Sequence, residues 1–300
     1  MLHVFIIVGI ILIILLSLWI LSIRPNKITQ DRREKMRPFE EVYIAHRGLF
    51  SNKGETPEEA PAAPENSLEA FRRAVEHGYG IEMDVQLTRD GQLVVFHDGT
   101  MKRMCGDPRN LYKCDYDDIK DFTLKGSDQH IPLFQEVRDL VAGQVPLLIE
   151  VKPDGNSRET ARVLNEELSD YQGTYCIESF DPRAVNWYRK NRPDIARGQL
   201  SDKFKPTGIL SHDLARRLCK NLSFNFYGRP DFIAYNQNHK NQRSYRLLRR
   251  LFPVYNAAWT IRSQDQLEAA RDVFSIFIFD SFIPDAEQSV CGEKPETEER

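Results

Sequence analysis

The segment "IEMDVQLTRDGQLVVFHD" (Ile81–Asp98) resembles two apolar strands joined by a tight turn at "RDG". Glu82, Asp84 and His97 lie within these strands, where Val, Leu and Phe fill most of the positions between them. Buried charges in proteins are usually paired with another charge or bound to a metal, because an unpaired charge is costly to remove from water. The segment therefore predicts strands that carry these side chains to a shared polar site.

Strand-like and helix-like patterns alternate from Val42 onward. Strands of four to eight residues between longer helices favour βα units and a parallel sheet. Roughly eight units over about 245 residues predict an α/β fold, the TIM (β/α)8 barrel, which is typically about 250 residues long. A doubly wound open sheet is the alternative, but no G-x-G-x-x-G motif follows the first strand. In the helix "NSLEAFRRAVEHG" we expect Asn66 as N-cap and Gly78 at the C-terminal end.

The segment Leu2–Ile23 is apolar and contains no Asp, Glu, Lys or Arg. A helix of this length reaches about 33 Å, which is enough to cross a hydrocarbon core of about 30 Å. The basic start, short apolar run and A-x-A-like end of a cleavable signal are missing. The positive-inside rule predicts a single-pass cell-membrane protein with a cytoplasmic barrel, because the span is followed by Arg24, Lys27, Arg32, Arg33, Lys35 and Arg37.

These patterns divide the chain into four parts. We predict a transmembrane anchor at 2–23, a polar tether at 24–41, the barrel at 42–284 and an acidic, frayed tail at 285–300.

The composition narrows the possible partners and cofactors. A net charge of -3 and the lack of a basic stripe with reading elements argue against a nucleic-acid partner. The five cysteines are odd in number and form no C-x-x-C pair. They predict free thiols in a reducing compartment and argue against a zinc site or a disulfide framework.

Three carboxylates are expected to converge at the open end of the barrel. Functional side chains of TIM barrels lie at the C-terminal ends of the strands, where Glu82, Asp84 and Glu150 fall. Side chains two apart on a strand share a face, as do Glu82 with Asp84 and Glu150 with Lys152. An oxygen-rich set without cysteine predicts a site for a hard divalent cation, Mg²⁺ or Ca²⁺.

Basic and titratable side chains fall at the same ends of the predicted barrel strands: His46 and Arg47 end the first strand, and His97 ends the third. Arg47 and Lys152 supply donors suited to phosphate. His46 and His97 can each hold or release a proton near neutral pH. Together with a cation, these groups predict phosphodiester cleavage. Asp98 either orients His97 or caps the following turn.

Seven motifs occur in one order: "AHRG", "PENSLEAF", "IEMDVQLTRDGQLVVFHD", "IPLFQEV", "LLIEVK", "SFDP" and "AWTIRSQDQL". In this order they resemble the glycerophosphodiester phosphodiesterase family, over about residues 42–284. The resemblance implies a TIM barrel that uses a divalent cation to hydrolyse glycerophosphodiesters to glycerol 3-phosphate and an alcohol. By motif, it implies acid/base roles for His46 and His97, metal ligation by Glu82, Asp84 and Glu150, phosphate contacts from Arg47 and Lys152, and a substrate-pocket wall at Trp259.

Two departures from the family pattern affect the rim of the barrel. The segment "LFSNKGETPEEAPAA" between H-R-G and P-E-N-S is longer than expected, which predicts a reshaped pocket. At the last strand, "FIFDSFIP" replaces the usual T-D-x-P.

Several alternatives stay open. With an anchor near the rim, a lysophospholipid is an alternative substrate to a water-soluble glycerophosphodiester. A sphingomyelinase D- or phospholipase D-like lipid phosphodiesterase could use the same barrel, and a membrane-tethered binding protein could have lost turnover. The basic, amphipathic segment His239–Phe252 either lies on an anionic membrane or forms an outer helix with Leu247, Leu248 and Leu251 packed inward.

Overall fold

The computed structural model describes residues 1–51, 62–205 and 207–285. Most of the long rim segment, at 52–61, and the tail from residue 286 lie outside these described residues. Within them, nine strands form one sheet: β1 (Ile44–Ala45), β2 (Gly80–Leu87), β3 (Leu93–Val95), β4 (Leu147–Val151), β5 (Tyr175–Ser179), β6 (Arg197–Ser201), β7 (Phe232–Asn236), β8 (Tyr255–Ile261) and β9 (Ile276–Phe279).

Eight of these strands are parallel and close into a barrel. Strand β1 pairs in parallel with both β2 and β9, so the sheet has no open ends among the parallel strands. This closure confirms the predicted TIM barrel and excludes the open doubly wound sheet.

Two helices precede β1, and the helices that follow most barrel strands cover the outside of the sheet. In chain order, the helices are α1 (Leu2–Ser22), α2 (Gln30–Glu40), α3 (Leu68–Glu76), α4 (Lys102–Cys105), α5 (Phe134–Val141), α6 (Ser157–Glu167), α7 (Pro182–Asn191), α8 (Leu210–Lys220), α9 (Asn225–Gly228), α10 (Arg243–Leu251) and α11 (Gln264–Ala270). Short 3-10 turns span Leu111–Lys113, Tyr116–Asp118 and Gln237–His239.

Strand β3 is antiparallel, so the prediction that His97 ends a barrel strand is wrong. Val95 pairs with Val85 of β2, and the tight turn at "RDG" makes the two strands a hairpin. The Phe96 N–H donates to the Asp84 carbonyl at 2.9 Å. The hairpin thereby brings His97 close to Asp84 at the C-terminal end of the barrel, the end that the prediction gave it.

Alternation along the strands separates two hydrophobic layers. Side chains such as Ile81, Met83 and Ile149 face outward and pack under the helices. Leu148 and Phe232 belong to an inner cluster. The inward positions above this cluster are polar, which places the charged side chains at the C-terminal end of the barrel.

Helix α2 occupies part of the predicted tether, so that prediction is wrong at Gln30–Glu40. The Thr29 side chain caps the helix by accepting from the Arg32 N–H. Met36 and Phe39 are fully buried in the inner cluster. The polar composition of the segment concealed these two apolar positions, which lie three residues apart on one helix face.

The predicted caps of α3 are partly corrected. Ser67, not Asn66, is the N-cap, and its hydroxyl accepts from the Ala70 N–H at 3.2 Å. Asn66 adopts the left-handed backbone at φ 57° and its side chain turns toward the barrel mouth. Gly78, at φ 68°, follows the helix as predicted.

Helix α10 packs on the barrel, in keeping with the outer-helix alternative. Tyr245 and Leu248 are fully buried, and Leu247 packs against the same core. Leu251 is 45% exposed, so its predicted inward packing is wrong.

Candidate functional site

The three predicted carboxylates converge inside the barrel mouth. Asp84 on β2 is the register partner of Glu150 on β4, and Glu82 lies two residues before Asp84 on the same face. One carboxylate oxygen from each of the three lies within 4.8 Å of the others, and all three side chains are buried.

This spacing suits a hard divalent cation. Oxygen–metal distances of about 2.0–2.6 Å allow two ligands of one ion to lie up to about 4–5 Å apart. Asp84 Oδ1 and Glu150 Oε1 are buried, and the ammonium of Lys152 lies within 3.2 Å of both. Three clustered carboxylates are costly to bury as anions without positive partners. The residues therefore fit a site for a hard divalent cation.

Lys152 partly neutralises the carboxylates. Its Nζ lies 3.2 Å from Asp84 Oδ1 and 3.0 Å from Glu150 Oε1. Burial lowers the pKa of Lys152, but the two carboxylates outweigh that effect and raise it above its usual value. Lys152 therefore remains an ammonium ion, and a cation bound to the same oxygens would compete with it.

The negative charge is unevenly shared. Burial, and next the Asp84 charge, raise the pKa of Glu82 well above its usual range. Burial also raises the pKa of Glu150. Burial acts on Asp84 in the same direction, but the positive charge of Lys152 and other neighbours holds its pKa well below the usual range. Asp84 is thus the principal anion of the cluster.

Arg47 reaches the cluster through a left-handed turn at φ 57°. Its backbone N–H donates to Glu82 Oε2 at 2.9 Å, and its Nε lies 3.3 Å from Asp84 Oδ2. Its Nη1 donates to Glu65 at 2.6 Å. The Asn66 amide donates to Asp84 Oδ2 at 2.8 Å. Residues of the "HRG" and "PENS" motifs thus hold Asp84 in place.

His46 is oriented by Asp280, a residue that follows the last strand. Its Nδ1 lies 2.9 Å from Asp280 Oδ2, and the Arg262 Nε donates to the other Asp280 oxygen at 3.0 Å. Burial raises the pKa of Asp280, but the hydrogen bond with His46 helps to lower it to about 2. An ionised carboxylate only accepts hydrogen bonds, so the proton of a neutral His46 is on Nδ1 and Nε2 has the free lone pair. Burial lowers the pKa of His46, which favours that neutral form.

His97 has an analogous partner in Asp98. Its Nδ1 lies 2.6 Å from Asp98 Oδ1, and Arg103 donates to both Asp98 oxygens. Burial opposes ionisation of Asp98, but hydrogen bonds with His97 and Arg103 hold its pKa well below the usual range. The structure thus favours an orienting role for Asp98 over a cap. Arg103 also donates to Glu65, which joins the His97 and Arg47 sides of the site.

Each of the two predicted catalytic histidines lines a cavity near the carboxylates. The cavity beside His46 measures about 950 Å³, and Arg47 and Asp280 also line it. The cavity beside His97 measures about 580 Å³, and Lys152 also lines it. Both histidines interact electrostatically with Asp84. The arrangement offers proton-transfer groups in two cavities near one buried anionic cluster.

Trp259 lies on the same rim, in an aromatic row. Its ring meets Phe180 edge to face at 5.6 Å between centroids, and Phe180 meets Phe204 at 5.9 Å. Phe180 and Phe204 line the His97 cavity. The Trp259 Nε1 is buried without a hydrogen-bond partner among the described residues.

Sequence reasoning missed two functional candidates, Asp280 and Glu178. Asp280 belongs to "FIFDSFIP", whose departure from the family pattern hid its role. Glu178 on β5 is the register partner of Glu150. The two strands carry Glu at the matching position of "IEV" and "IES", and this similarity is the sequence signal that could have identified Glu178. Burial, and next the Glu82 charge, raise the pKa of Glu178 well above its usual range. Its Oε2 has no hydrogen-bond partner in the described part of the chain.

Comparison with known sequences agrees with this geometry. The profile of the glycerophosphoryl diester phosphodiesterase family matches residues 46–273. A glycerophosphodiester phosphodiesterase of Caldanaerobacter subterraneus is 32% identical over 172 residues, or 53% of this chain and 66% of the relative. A lysophospholipase D GDPD1 of Rattus norvegicus is 31% identical over 160 residues, covering 49% of this chain and 45% of the relative. The chain thus spans just under two thirds of the first of these relatives and less than half of the second.

Solved structures share the fold. A phosphodiesterase of Oleispira antarctica in complex with the product sn-glycerol-3-phosphate superposes with a TM-score of 0.62 at 23% identity, covering 80% of this chain and 92% of the other. A glycerophosphodiester phosphodiesterase of Thermotoga maritima gives a TM-score of 0.57 at 24% identity, covering 80% and 94%. At these identities the likeness establishes the barrel alone.

Proposed function

The chain belongs to the glycerophosphoryl diester phosphodiesterase family, and on that premise we propose that it hydrolyses glycerophosphodiesters to glycerol 3-phosphate and an alcohol. One observation carries the proposal. Glu82, Asp84 and Glu150 offer oxygens within 4.8 Å of one another, and the two histidines nearby are each oriented by an ionised aspartate.

A divalent cation, Mg²⁺ or Ca²⁺, would be held by the three carboxylates. When bound, it supplies positive charge that stabilises the phosphate oxygens as negative charge develops on them. Arg47 and Lys152 already carry positive charge at the same place and would bind further phosphate oxygens.

The histidines would transfer protons on the two sides of the phosphorus. His46, neutral and with its Nε2 lone pair free, accepts the proton of the nucleophile, which is water or the neighbouring glycerol hydroxyl. His97 donates a proton to the departing alkoxide. If the glycerol hydroxyl attacks first, a cyclic phosphate forms and the two histidines exchange roles when water opens it.

A lysophospholipid is the substrate class that we favour within this activity. The Rattus norvegicus relative is a lysophospholipase D, and the Trp259–Phe180–Phe204 row gives the mouth an apolar wall. Helix α1, whose span His3–Ser22 has the length and mean hydropathy (3.3) of a membrane-crossing helix, would anchor the enzyme beside lipid substrates. The basic residues after α1 and the four free thiols described favour a cytoplasmic barrel.

The proposal is tested with the full chain in detergent, using glycerophosphocholine, glycerophosphoglycerol and lysophosphatidylcholine as substrates. Phosphorus NMR identifies the products, with EDTA and then Mg²⁺ or Ca²⁺ added in excess. We expect glycerol 3-phosphate from the first two substrates, lysophosphatidate from the third, and no turnover in EDTA. Release of the headgroup alcohol without formation of glycerol 3-phosphate or lysophosphatidate would contradict the proposal. So would the lack of any turnover with either cation.

Leaving-group chemistry separates the histidines. His97→Ala should lose most turnover of glycerophosphocholine but retain more on a p-nitrophenyl phosphodiester, whose leaving group needs no proton. His46→Ala should be equally impaired on both substrates. The opposite pattern would reverse the two roles.

A further inference from the structure

The path of α1 indicates which side of the barrel faces a membrane. The Asn26 side chain donates to Asp231, just before β7, at 2.6 Å. Trp19, earlier in α1, lines a cavity of about 650 Å³ together with Lys203 and Asn238, which follow β6 and β7. Toward its N-terminus α1 therefore runs in the direction of the barrel strands, and its first residues extend past the C-terminal rim.

The exposure of α1 changes along this path. Ile23 is fully buried against the barrel, whereas Val4, Phe5 and Leu18 are 62%, 72% and 58% exposed. An apolar helix exposed in this way requires a non-aqueous surrounding. If that surrounding is a bilayer, it lies on the side of the barrel where the active site opens.

Helix α8 lies at this rim and is unusual in packing. None of its residues is buried. The Ser201 hydroxyl, at the end of β6, donates to the Cys219 carbonyl at 3.0 Å, so the C-terminal end of α8 is level with the strand ends. Leu210 and Leu214, one turn apart on one face, are exposed at 87% and 56%. Water alone is a poor environment for this face.

Basic residues border this apolar stripe. Arg217, three residues after Leu214, lies at its edge, and Arg216 and Lys220 lie on a neighbouring face. These three residues line a cleft of about 250 Å³ together with Phe204, Lys205 and Asp213. The Arg216 guanidinium donates to the Lys205 carbonyl at 2.7 Å. An exposed apolar stripe bordered by Lys and Arg is the pattern of helices that lie at the surface of an anionic membrane.

We propose that α8 lies in the headgroup region of an anionic bilayer, the same bilayer in which α1 anchors the chain, and that it orients the barrel mouth toward this bilayer. Phe204, beside the basic cleft, begins the aromatic row that leads through Phe180 to Trp259. The row gives an acyl chain an apolar path from the bilayer to the mouth. This inference rests on the proposed membrane anchor and, for its catalytic consequence, on the proposed activity.

Fluorescence quenching measures the contact without reference to activity. The full chain with Leu214→Trp is placed in nanodiscs of phosphatidylcholine and phosphatidylserine whose acyl chains are brominated near the headgroup. Leu251→Trp is the matched control, because Leu251 is 45% exposed at the end of α10, before β8, and so lies on the opposite side of the barrel. We expect the fluorescence added at position 214 to fall at least about twofold and that at 251 to be unchanged, since only buried interfacial groups meet the bromines. Equal fluorescence at 214 with and without bromine would overturn the proposal.

Turnover provides the second measurement. Leu210→Asp/Leu214→Asp in the full chain should lower turnover of lysophosphatidylcholine in the same bilayers about tenfold, because both apolar contacts are lost. Turnover of glycerophosphocholine should not change. Equal loss on both substrates, or on neither, would overturn the role of α8 in loading substrate. If the unsubstituted chain turns over neither substrate, the proposed activity fails, while the quenching result still decides whether α8 contacts lipid.

Discussion

Replacing Asp280 by Asn tests how the site prepares His46. The two carboxylate oxygens of Asp280 accept from His46 Nδ1 at 2.9 Å and from the Arg262 Nε at 3.0 Å. Asparagine keeps the size of the side chain but removes the charge and offers an amide donor. If that donor faces His46, the imidazole proton moves to Nε2, and the lone pair that accepts the proton of the nucleophile is lost.

The structure sets the scale of the loss. Both side chains of the His46–Asp280 pair are mostly buried, at 14% and 5% exposure, so solvent weakens the contact little. A hydrogen bond to a charged group contributes about 1.5–3 kcal/mol. At about 1.4 kcal/mol per tenfold change, kcat should fall about 10- to 150-fold. KM should change little, because Asp280 contacts His46 and Arg262, whereas the proposed phosphate-binding residues are Arg47 and Lys152.

The pH profile gives an independent direction. His46 acts as a base only when neutral, so activity is lost as the pH falls through its pKa. The hydrogen bond and charge of Asp280 act to raise that pKa. Asp280→Asn should therefore shift the acid limb of kcat/KM to lower pH.

The assay is steady-state turnover of glycerophosphocholine between about pH 5 and pH 9, a range that includes the ordinary histidine pKa of about 6.5. The matched control is Asp202→Asn, because Asp202 Oδ1 lies 2.6 Å from Nδ1 of His239, a similar pair outside the proposed machinery. A loss in kcat below about threefold, which corresponds to less than 1 kcal/mol, or an acid limb moved to higher pH would refute the reasoning.

Substitutions at three further carboxylates test their roles. Glu82→Gln should leave the melting temperature in EDTA nearly unchanged, because the raised pKa favours a neutral Glu82. It should also abolish the stabilisation, about 2.7 kcal/mol at a hundredfold excess over Kd, that Mg²⁺ or Ca²⁺ gives the wild type; a retained thermal shift would contradict this ligand assignment. Glu65→Gln should destabilise the fold at pH 7 by about 3 kcal/mol. Burial raises the pKa of Glu65, but Arg103 and Arg47 outweigh burial and lower that pKa from 4.5 to about 2. The stability that ionised Glu65 contributes is present above its unfolded pKa and is lost as the pH falls toward 2. If the difference in unfolding free energy between the wild type and Glu65→Gln grew in acid, these ion pairs would not be its source. Glu178→Gln should keep turnover within about threefold, because glutamine mimics the protonated acid. Glu178→Ala should lower the unfolding free energy by about 1–3 kcal/mol. A large loss of turnover in the Gln variant would show that the ionised form of Glu178 is needed for function.

The helices and strands of the barrel, and the face on which its charges lie, follow from local pattern. Apolar runs of strand length between amphipathic helices predict the βα units, and a period of two places Glu82 and Asp84 on one face. The same reasoning misassigned α2 as a tether, because Met36 and Phe39 are two apolar residues in a charged segment. It also made β3 a barrel strand, because local pattern carries no information about strand direction.

The partners of the charged groups depended on closure of the barrel. His46 and Asp280 are 234 residues apart and meet because β1 pairs with β9. Glu178 joins the carboxylates through the register of β4 and β5, and Arg103 reaches Glu65 from the short helix α4, which follows the hairpin. Such contacts depend on sheet register and loop path, which arise from the packing of the whole chain. Residue types and spacing along the sequence therefore identified which side chains could act, while tertiary structure determined which partner sets the charge and orientation of each.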